Sequence, residues 1–245
     1  MYMNLYTKKN NILINLKNIK IKKKGEENTK SFFYYFYHNK IKISPWHDIP
    51  LYSKKKNIYN FICEIPKWTR KKFEINTNKK YNPIKQDIKN NKLREYSWGD
   101  VYFNYGCFPQ TWEDPNHKSK KINIPGDNDP LDAIEIGVKS LSIGSITPVK
   151  IIAGIPLIDD DEIDWKIITI ATDDPLSKKI YNINSLNKTL PGFLDAIVNW
   201  FKLYKKPDTN KENKFALNNK IIDQKDAIKV IESTHKLWEN LFLQK

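Results

Sequence analysis

Gly126-Asp127-Asn128-Asp129-Pro130-Leu131-Asp132-Ala133-Ile134-Glu135-Ile136-Gly137-Val138 runs from an acidic turn straight into a strand-like segment. Three carboxylates fall within six residues, Asp127 to Asp132. Carboxylates at that density repel one another, and removing even one from water is costly. Such a cluster settles in a cleft when a cation sits among its oxygens, Mg²⁺ or Mn²⁺ above all. The plainer reading is a surface turn, since Gly, Asn, Asp and Pro are all turn residues.

Outward from this stretch, short strands recur between Pro, Gly and Asp turns. Phe32-Phe33-Tyr34-Tyr35-Phe36-Tyr37 is an aromatic strand, His38-Asn39-Lys40 a turn and Ile41-Lys42-Ile43 a return strand. Further strands are expected at 60–66, 72–75, 101–105, 133–138, 147–155 and 166–171. Many short strands without alternating helices predict a sheet closing into a small barrel or sandwich, and exclude βαβ units. The last third changes period. Leu194, Ile197, Val198, Phe201 and Tyr204 form one helical stripe, with Pro191-Gly192 before it and Pro207 beyond. Ala227, Ile228, Ile231, Trp238, Leu241 and Phe242 form a second, with His235 beside it as a packed or surface residue.

The 245 residues, 40% hydrophobic and 13% aromatic, suffice for one substantial core. No apolar run approaches the ~20 residues of a membrane-spanning helix. Cys63 and Cys107 lack metal-ligand spacing and read as buried thiols of a reducing compartment. Net charge is +14, but Met1 to Gly25 carries seven lysines and no acid. Half of the charge thus lies in these first 25 residues, part of a basic leader, residues 1–30, expected to be a loosely packed extension or a targeting segment. A single domain is expected over 31–245. Elsewhere lysine alternates with asparagine, as compositional drift does, so nucleic acid is not the favoured partner.

Other groups answer the acidic turn. Asp159-Asp160-Asp161-Glu162-Ile163-Asp164 is a second acidic run. Glu64 lies inside the apolar run Phe61-Ile62-Cys63-Glu64-Ile65, where a buried acid needs a partner or a metal. Glu74 alternates with Phe73 and Ile75, which by default turns it to solvent. Lys72, Arg94, Tyr105, Lys166 and the pair Tyr204-Lys205 sit in similar settings. Singly, each reads as a solvated side chain. Carboxylates for metals together with Lys, Arg and Tyr donors for oxyanions are the chemistry of phosphoryl transfer. No Walker loop, HExxH or Gly-x-Ser-x-Gly is present.

The acidic turn also matches the D-x-D-P-x-D pattern of soluble, family I inorganic pyrophosphatases. Its company agrees in order: His47-Asp48-Ile49-Pro50-Leu51-Tyr52, Glu64-Ile65-Pro66-Lys67-Trp68-Thr69, Asn104-Tyr105-Gly106 through Trp112-Glu113-Asp114-Pro115, and Asp164-Trp165-Lys166. From about residue 31 to 242 the chain resembles the eukaryotic branch. The resemblance implies an α+β, mainly β fold: a five-stranded, closed β-barrel of the oligonucleotide-binding kind, flanked by helices. It implies Mg²⁺-dependent hydrolysis of pyrophosphate, with three to four Mg²⁺ per active site and Mn²⁺ as a substitute. Asp127, Asp132 and Asp164 then match ligands of the first activating metal, with Asp132 also reaching the second. Asp159 and Asp164 match ligands of the substrate-borne metals, with Glu74 in the same shell. Asp129 matches the base that takes a proton from the nucleophilic water, and Glu64 an outer acid. Lys72, Arg94, Tyr105, Lys166, Tyr204 and Lys205 match the groups that grip the phosphates. Trp68 matches a position at a homodimer interface, and a cytoplasmic enzyme is expected unless residues 1–30 direct it to an organelle.

One stretch departs from the pattern. Between Arg94 and Tyr105 the chain is a few residues short, and Val101 stands where similar eukaryotic enzymes carry a second tyrosine. Tyr102 replaces it only if the strand shifts by one, which would turn the phenol to the other face. The competing readings are a nucleic-acid-binding barrel, which needs basic and aromatic strand faces, and a catalytically impaired homologue.

Overall fold

The computed structural model describes residues 14–119 and 121–241. Phe242 of the second stripe and the first thirteen residues of the leader lie outside the described residues. A small antiparallel sheet contains β1 (Ile19–Lys24), β2 (Phe33–His38), β3 (Ile41–Ile43), β5 (Phe73–Ile75) and β6 (Ile84–Gln86). β1 pairs along all six residues with β2, from Ile19 opposite His38 to Lys24 opposite Phe33. The boundary drawn at residue 30 therefore cuts a hairpin: the lysine-rich end of the leader is a sheet edge. Charged, exposed lysines suit an edge strand because they discourage pairing with another chain. Lys22 and Lys42 also lie over the rings of Tyr37 and Tyr35, at 5.0 and 4.1 Å.

The larger sheet holds β4 (Tyr59–Ile65), β9 (Asn104–Cys107), β10 (Asp132–Glu135), β11 (Ile146–Asp159) and β12 (Glu162–Ala171). The pairings run β12–β10–β9–β4–β11, and β11 also pairs with β12. Only β10–β12 is parallel. The expected strand at 101–105 begins instead at Asn104; Val101 makes a single bridge to Thr69. Short pairs complete the β structure: β7 (Ile88–Lys89) with β8 (Lys92–Leu93), and β13 (Lys214–Phe215) and β14 (Ile222–Asp223) on β11.

Alternation along the strands divides the core. Cys63, Ala133 and Ile167 pack in one cluster with Ala227 and Ile231 of α4 (Gln224–Asn240). Ile134 and Ile168, one residue on, pack in another with Ile197, Trp200 and Phe201 of α2 (Phe193–Leu203). A bulge between Ile151 and Ala153 lets β11 serve both. Two shorter helices flank α2, α1 (Ile183–Thr189) and α3 (Lys206–Thr209). Asn182 caps α1 reciprocally with Ser185, and Asp223 caps α4 by accepting from the Asp226 N–H at 2.9 Å. Pro207, expected just past the second helix, opens α3.

Two local features aim these elements at one place. Asp160 and Asp161 turn β11 into β12 at φ +47° and +66°, a conformation Asp tolerates better than most residues. Gly106 lies where β9 passes β4 too closely for a side chain: a Cβ there would meet the Ile62 carbonyl oxygen at 1.9 Å. We therefore expect Gly106→Ala to destabilise the fold by about 3 kcal/mol, through displaced backbone at the strand carrying Tyr105. Urea denaturation with an unchanged midpoint would contradict this.

Candidate active site

The acidic turn sits over one end of the larger sheet. Gly126 bridges Ile163 of β12 in parallel, and its backbone lies so close to Glu113 that a Cβ would meet that carbonyl at 2.4 Å. The turn is held from the same side by Asn128 N–H donating to the Glu113 carbonyl and Glu113 N–H donating to that of Asp129, at 2.8 and 3.0 Å. Asn128 takes the left-handed conformation, φ +71°, and its side chain accepts from the Trp112 indole at 3.0 Å. Asp127 Oδ1 accepts from the Asp129 N–H at 3.0 Å. Beyond the turn, the register of β10 puts Asp132 beside Lys166 of β12 and beside Cys107 of β9.

Around these acids stand cations and phenols in matched pairs. Lys166, 3% exposed, donates to both Asp132 and Asp164, and the Tyr105 hydroxyl donates to Asp132. Lys205 donates to Asp159, and to Asp160 at 2.9 Å; the Tyr204 hydroxyl donates to Asp159 at 2.8 Å. Lys72 pairs with Glu74 and lies 3.6 Å from Asp87, which takes a 2.9 Å hydrogen bond from Arg94. Glu64 is buried beneath, accepting from the Ile75 N–H at 2.7 Å. Together these groups, Asp87 excepted, line one cavity of about 250 Å³. That is below the roughly 300–1,000 Å³ of sites for drug-sized ligands and suits a small ion.

Protonation equilibria register the crowding. Burial first, then the charges of Asp129 and Asp132, push Asp127 up to about 8. Asp129 keeps exposed surface at the rim, yet loss of surrounding water and the charges of Glu74 and Asp132 push it up to about 7. Glu64, Glu113 and Asp164 are raised well above the carboxylate range, by burial first in each. Asp159 goes the other way: burial opposes ionisation, but Lys205 and the Tyr204 hydroxyl more than offset it.

All the residues singled out from sequence for the site line this cavity, including Glu74, whose alternation alone had turned it to solvent. A family model for inorganic pyrophosphatase matches residues 61–239. An inorganic pyrophosphatase of Drosophila melanogaster is 46% identical over 228 residues, covering 90% of this chain and 67% of its own length. The chain belongs to the inorganic pyrophosphatase family. A mitochondrial inorganic pyrophosphatase 2 of mouse is 45% identical over 223 residues, covering 83% of this chain and 68% of its own. The structure also resembles that of an N-terminally truncated vacuolar soluble pyrophosphatase of Trypanosoma cruzi, solved in complex with PPi. That match has a TM-score of 0.87 and 44% identity, over 91% of this chain and 90% of that one.

Membership of the pyrophosphatase family leaves several of this chain's own site features to be read from the structure. Glu113, Asp127 and Asp164 each offer an oxygen, all within 4.8 Å of one another, and Glu113 Oε2 is buried without a hydrogen-bond partner. Clustered hard oxygens with one left orphaned fit a divalent cation such as Mg²⁺. Glu113 lies in the Trp112-Glu113-Asp114-Pro115 motif, so its acid was visible in sequence but had no assigned part. Asp87, partner of Arg94, had no signal beyond its charge. Tyr96 also lines the cavity. Its signal is two-residue spacing from Arg94 in an extended segment, which turns both side chains the same way. Val101 is buried in the core, and Tyr102 packs on Phe193 with its hydroxyl unpartnered; neither lines the cavity.

Carboxyls that bind protons more tightly folded than unfolded lose stability as pH rises from the unfolded value, 3.8, through about 7 and 8 for Asp129 and Asp127. A bound cation relieves that penalty only once the protons have left. Millimolar Mg²⁺ is therefore expected to raise the melting temperature more at about pH 8 than at about pH 5. An equal rise at both would count against cation binding by this cluster.

Proposed function

We propose that this chain hydrolyses inorganic pyrophosphate to two orthophosphates by in-line attack of water, with Mg²⁺ as the working cation. The observation that carries the reading is the convergence of Asp127, Asp129, Asp132, Asp159 and Asp164 with Lys72, Arg94, Lys166 and Lys205 on one cavity. The relative solved in complex with PPi supports the substrate assignment. We assign Asp127, Asp132 and Asp164, with Asp159 and Glu74, as the residues that hold the metals. Glu113 is available to the same cations through its orphaned oxygen. When bound, Mg²⁺ supplies charge neutralisation and lowers the pKa of water beside it toward 7.

Nine acids and four bases line the cavity, an excess of negative charge that several divalent cations would offset, which supports the three to four Mg²⁺ implied by the family.

Asp129 acts as the base. The oxygen of water bonds to one phosphorus while the bond from that phosphorus to the bridging oxygen breaks, and the electron pair leaves with the second phosphate. One proton of the water stays on the new orthophosphate. Asp129 takes the other, which passes to the departing orthophosphate. Lys72, Arg94, Lys166 and Lys205 exchange carboxylate partners for phosphate oxygens, and with the phenols of Tyr105 and Tyr204 stabilise the charge that builds on both phosphates. Glu64 acts from outside, fixing the Ile75 backbone below Glu74.

We read the circuit β12–β10–β9–β4–β11–β12 as a five-stranded closed barrel of the oligonucleotide-binding kind; the return pairing of β11 with β12 supports that reading. A single domain from residue 31 to 245, with β1 of the leader joined to its edge, is the corresponding division. A homodimer with Trp68 at its contact is supported by that ring's 65% exposure. Among the described residues no helix is long and apolar enough to cross a membrane. We assign the enzyme to the cytoplasm. Relatives named mitochondrial, from mouse, and chloroplastic, from Arabidopsis thaliana, support the competing assignment, organelle targeting by residues 1–30.

Purified protein is expected to release phosphate from pyrophosphate with Mg²⁺ and to stop on chelation. Asp129→Asn should retain the melting temperature and cut kcat by roughly 10²–10⁴, the usual worth of a general base. Near-wild-type turnover would sink the assignment of Asp129. Salt-sensitive RNA binding without phosphate release would favour the nucleic-acid reading instead.

A further inference from the structure

The resemblance drawn from the sequence implies that the shortened segment between Arg94 and Tyr105 leaves the site short of one phenol. Val101, at the position of the second tyrosine, is 1% exposed and packs with Phe103, Ile134 and Trp200 in the core. Its neighbour Tyr102 points away, its hydroxyl shut in beside Phe193. A different phenol occupies the cavity wall. Tyr96 follows Arg94 by two residues on a segment pinned to the extended residues leading into β5: Lys72 N–H donates to the Arg94 carbonyl at 3.1 Å, and Tyr96 N–H to that of Arg70 at 2.8 Å. Its ring is fixed edge-on against Trp200 and Tyr204, with centroids 4.9 and 5.7 Å away. Only 6% of the residue is exposed.

What that burial leaves open is the hydroxyl. Among the described residues no hydrogen bond involves the Tyr96 hydroxyl, although it is not among the buried polar atoms sealed off without a partner. Tyr96 lines the cavity together with Lys72, Arg94, Lys166 and Asp132, where the phosphate-gripping cations meet. A buried phenol held by two aromatic neighbours, with its donor free, has lost its rotational freedom in folding and still lacks an acceptor.

We propose that Tyr96 is a further catalytic residue of this enzyme, whose hydroxyl donates a hydrogen bond to a phosphoryl oxygen of the bound pyrophosphate in place of the phenol absent at Val101. The inference rests on the pyrophosphatase reading of the site. Burial, the largest cause, pushes the phenol up to about 12, so it stays protonated and able to donate at neutral pH. A donor to a highly charged oxyanion that gains charge during reaction is worth more in the transition state than in the ground state.

The test compares wild type with Tyr96→Phe, which keeps the ring and removes only the donor. Phosphate release under saturating Mg²⁺, melting temperature and inhibition by non-hydrolysable imidodiphosphate are measured for both. The expected result is an unchanged melting temperature, kcat/KM lower by roughly tenfold to a hundredfold, and weaker inhibition by imidodiphosphate. Unchanged kcat/KM and inhibition in Tyr96→Phe beside an active wild type would overturn the inference and leave the enzyme's function standing. An inactive wild type would overturn the pyrophosphatase reading itself, and the inference with it. Should phenylalanine disturb the packing, 3-fluorotyrosine at position 96 changes the donor strength with little change in size: with the melting temperature unchanged, altered kcat/KM supports the contact, and unaltered kcat/KM overturns it.

Discussion

Lys166 stands between Asp132 and Asp164 with almost no surface in water, and the arrangement of the cleft depends on that contact. Two carboxylates and an ammonium removed from solvent cost several kcal/mol per ion, which their mutual attraction offsets only in good geometry. The strands supply that geometry before any side chain moves. β10 runs parallel to β12 with Asp132 opposite Lys166, while Asp164 lies two residues earlier on the same face of β12. Shifting either strand by one residue would turn Asp132 or Lys166 into the core and leave its partner buried and unpaired. The ion cluster and the register therefore specify each other.

From that anchor the remaining groups fall into two banks. The β11–β12 turn lifts Asp159 toward Tyr204 and Lys205 at the end of α2, while Lys72 and Glu74 approach from β5 and its lead-in, and Arg94 and Asp87 from the two ends of the β7–β8 pair. Each cation is thus held by an acid, so the site does not collapse on one substrate-sized cluster of like charge. The acids still outnumber the bases, and an anionic substrate meets a cleft of its own sign. Cations held by the acids, together with any that arrive with the substrate, offset that field, which ties the cluster's chemistry to a divalent metal.

Much of this was legible in the sequence because short-range constraints wrote it there. Asp-x-Asp-Pro-x-Asp needs few neighbours to make sense, and strands with sharp alternation, such as Ile41–Ile43, emerge with the expected bounds. Helix stripes read well for the same reason; Trp200, three residues after Ile197 and four before Tyr204, is buried on the first stripe as well. What could not be read was set by distant contacts. The lysine-rich run Ile19–Lys24 has only Ile19 and Ile21 as an apolar face, too short a signal on its own, and it is a strand because the aromatic β2 offers it an edge. The strand at 101–105 slid to Asn104 because Asn104 is claimed by tertiary bonds: its amide accepts from the Lys67 and Leu141 N–H groups and donates to Glu135.

The formal charge of +14 illustrates the same separation between composition and site. Taken whole, the chain has the electrostatics of a polyanion binder. In the folded molecule the lysines of β1 are exposed along a sheet edge, far in character from a cavity where acids exceed bases nine to four. A groove for nucleic acid needs cations and aromatic faces along one open surface. Here four aromatic residues beside the charged cleft, Phe201, Trp200, Tyr204 and Tyr96, pack on one another, Trp200 stacked on Tyr204 and the other contacts edge-to-face. They are spent on rigidity, holding phenols and lysines still around a small charged ligand, and none is left free to stack on a base.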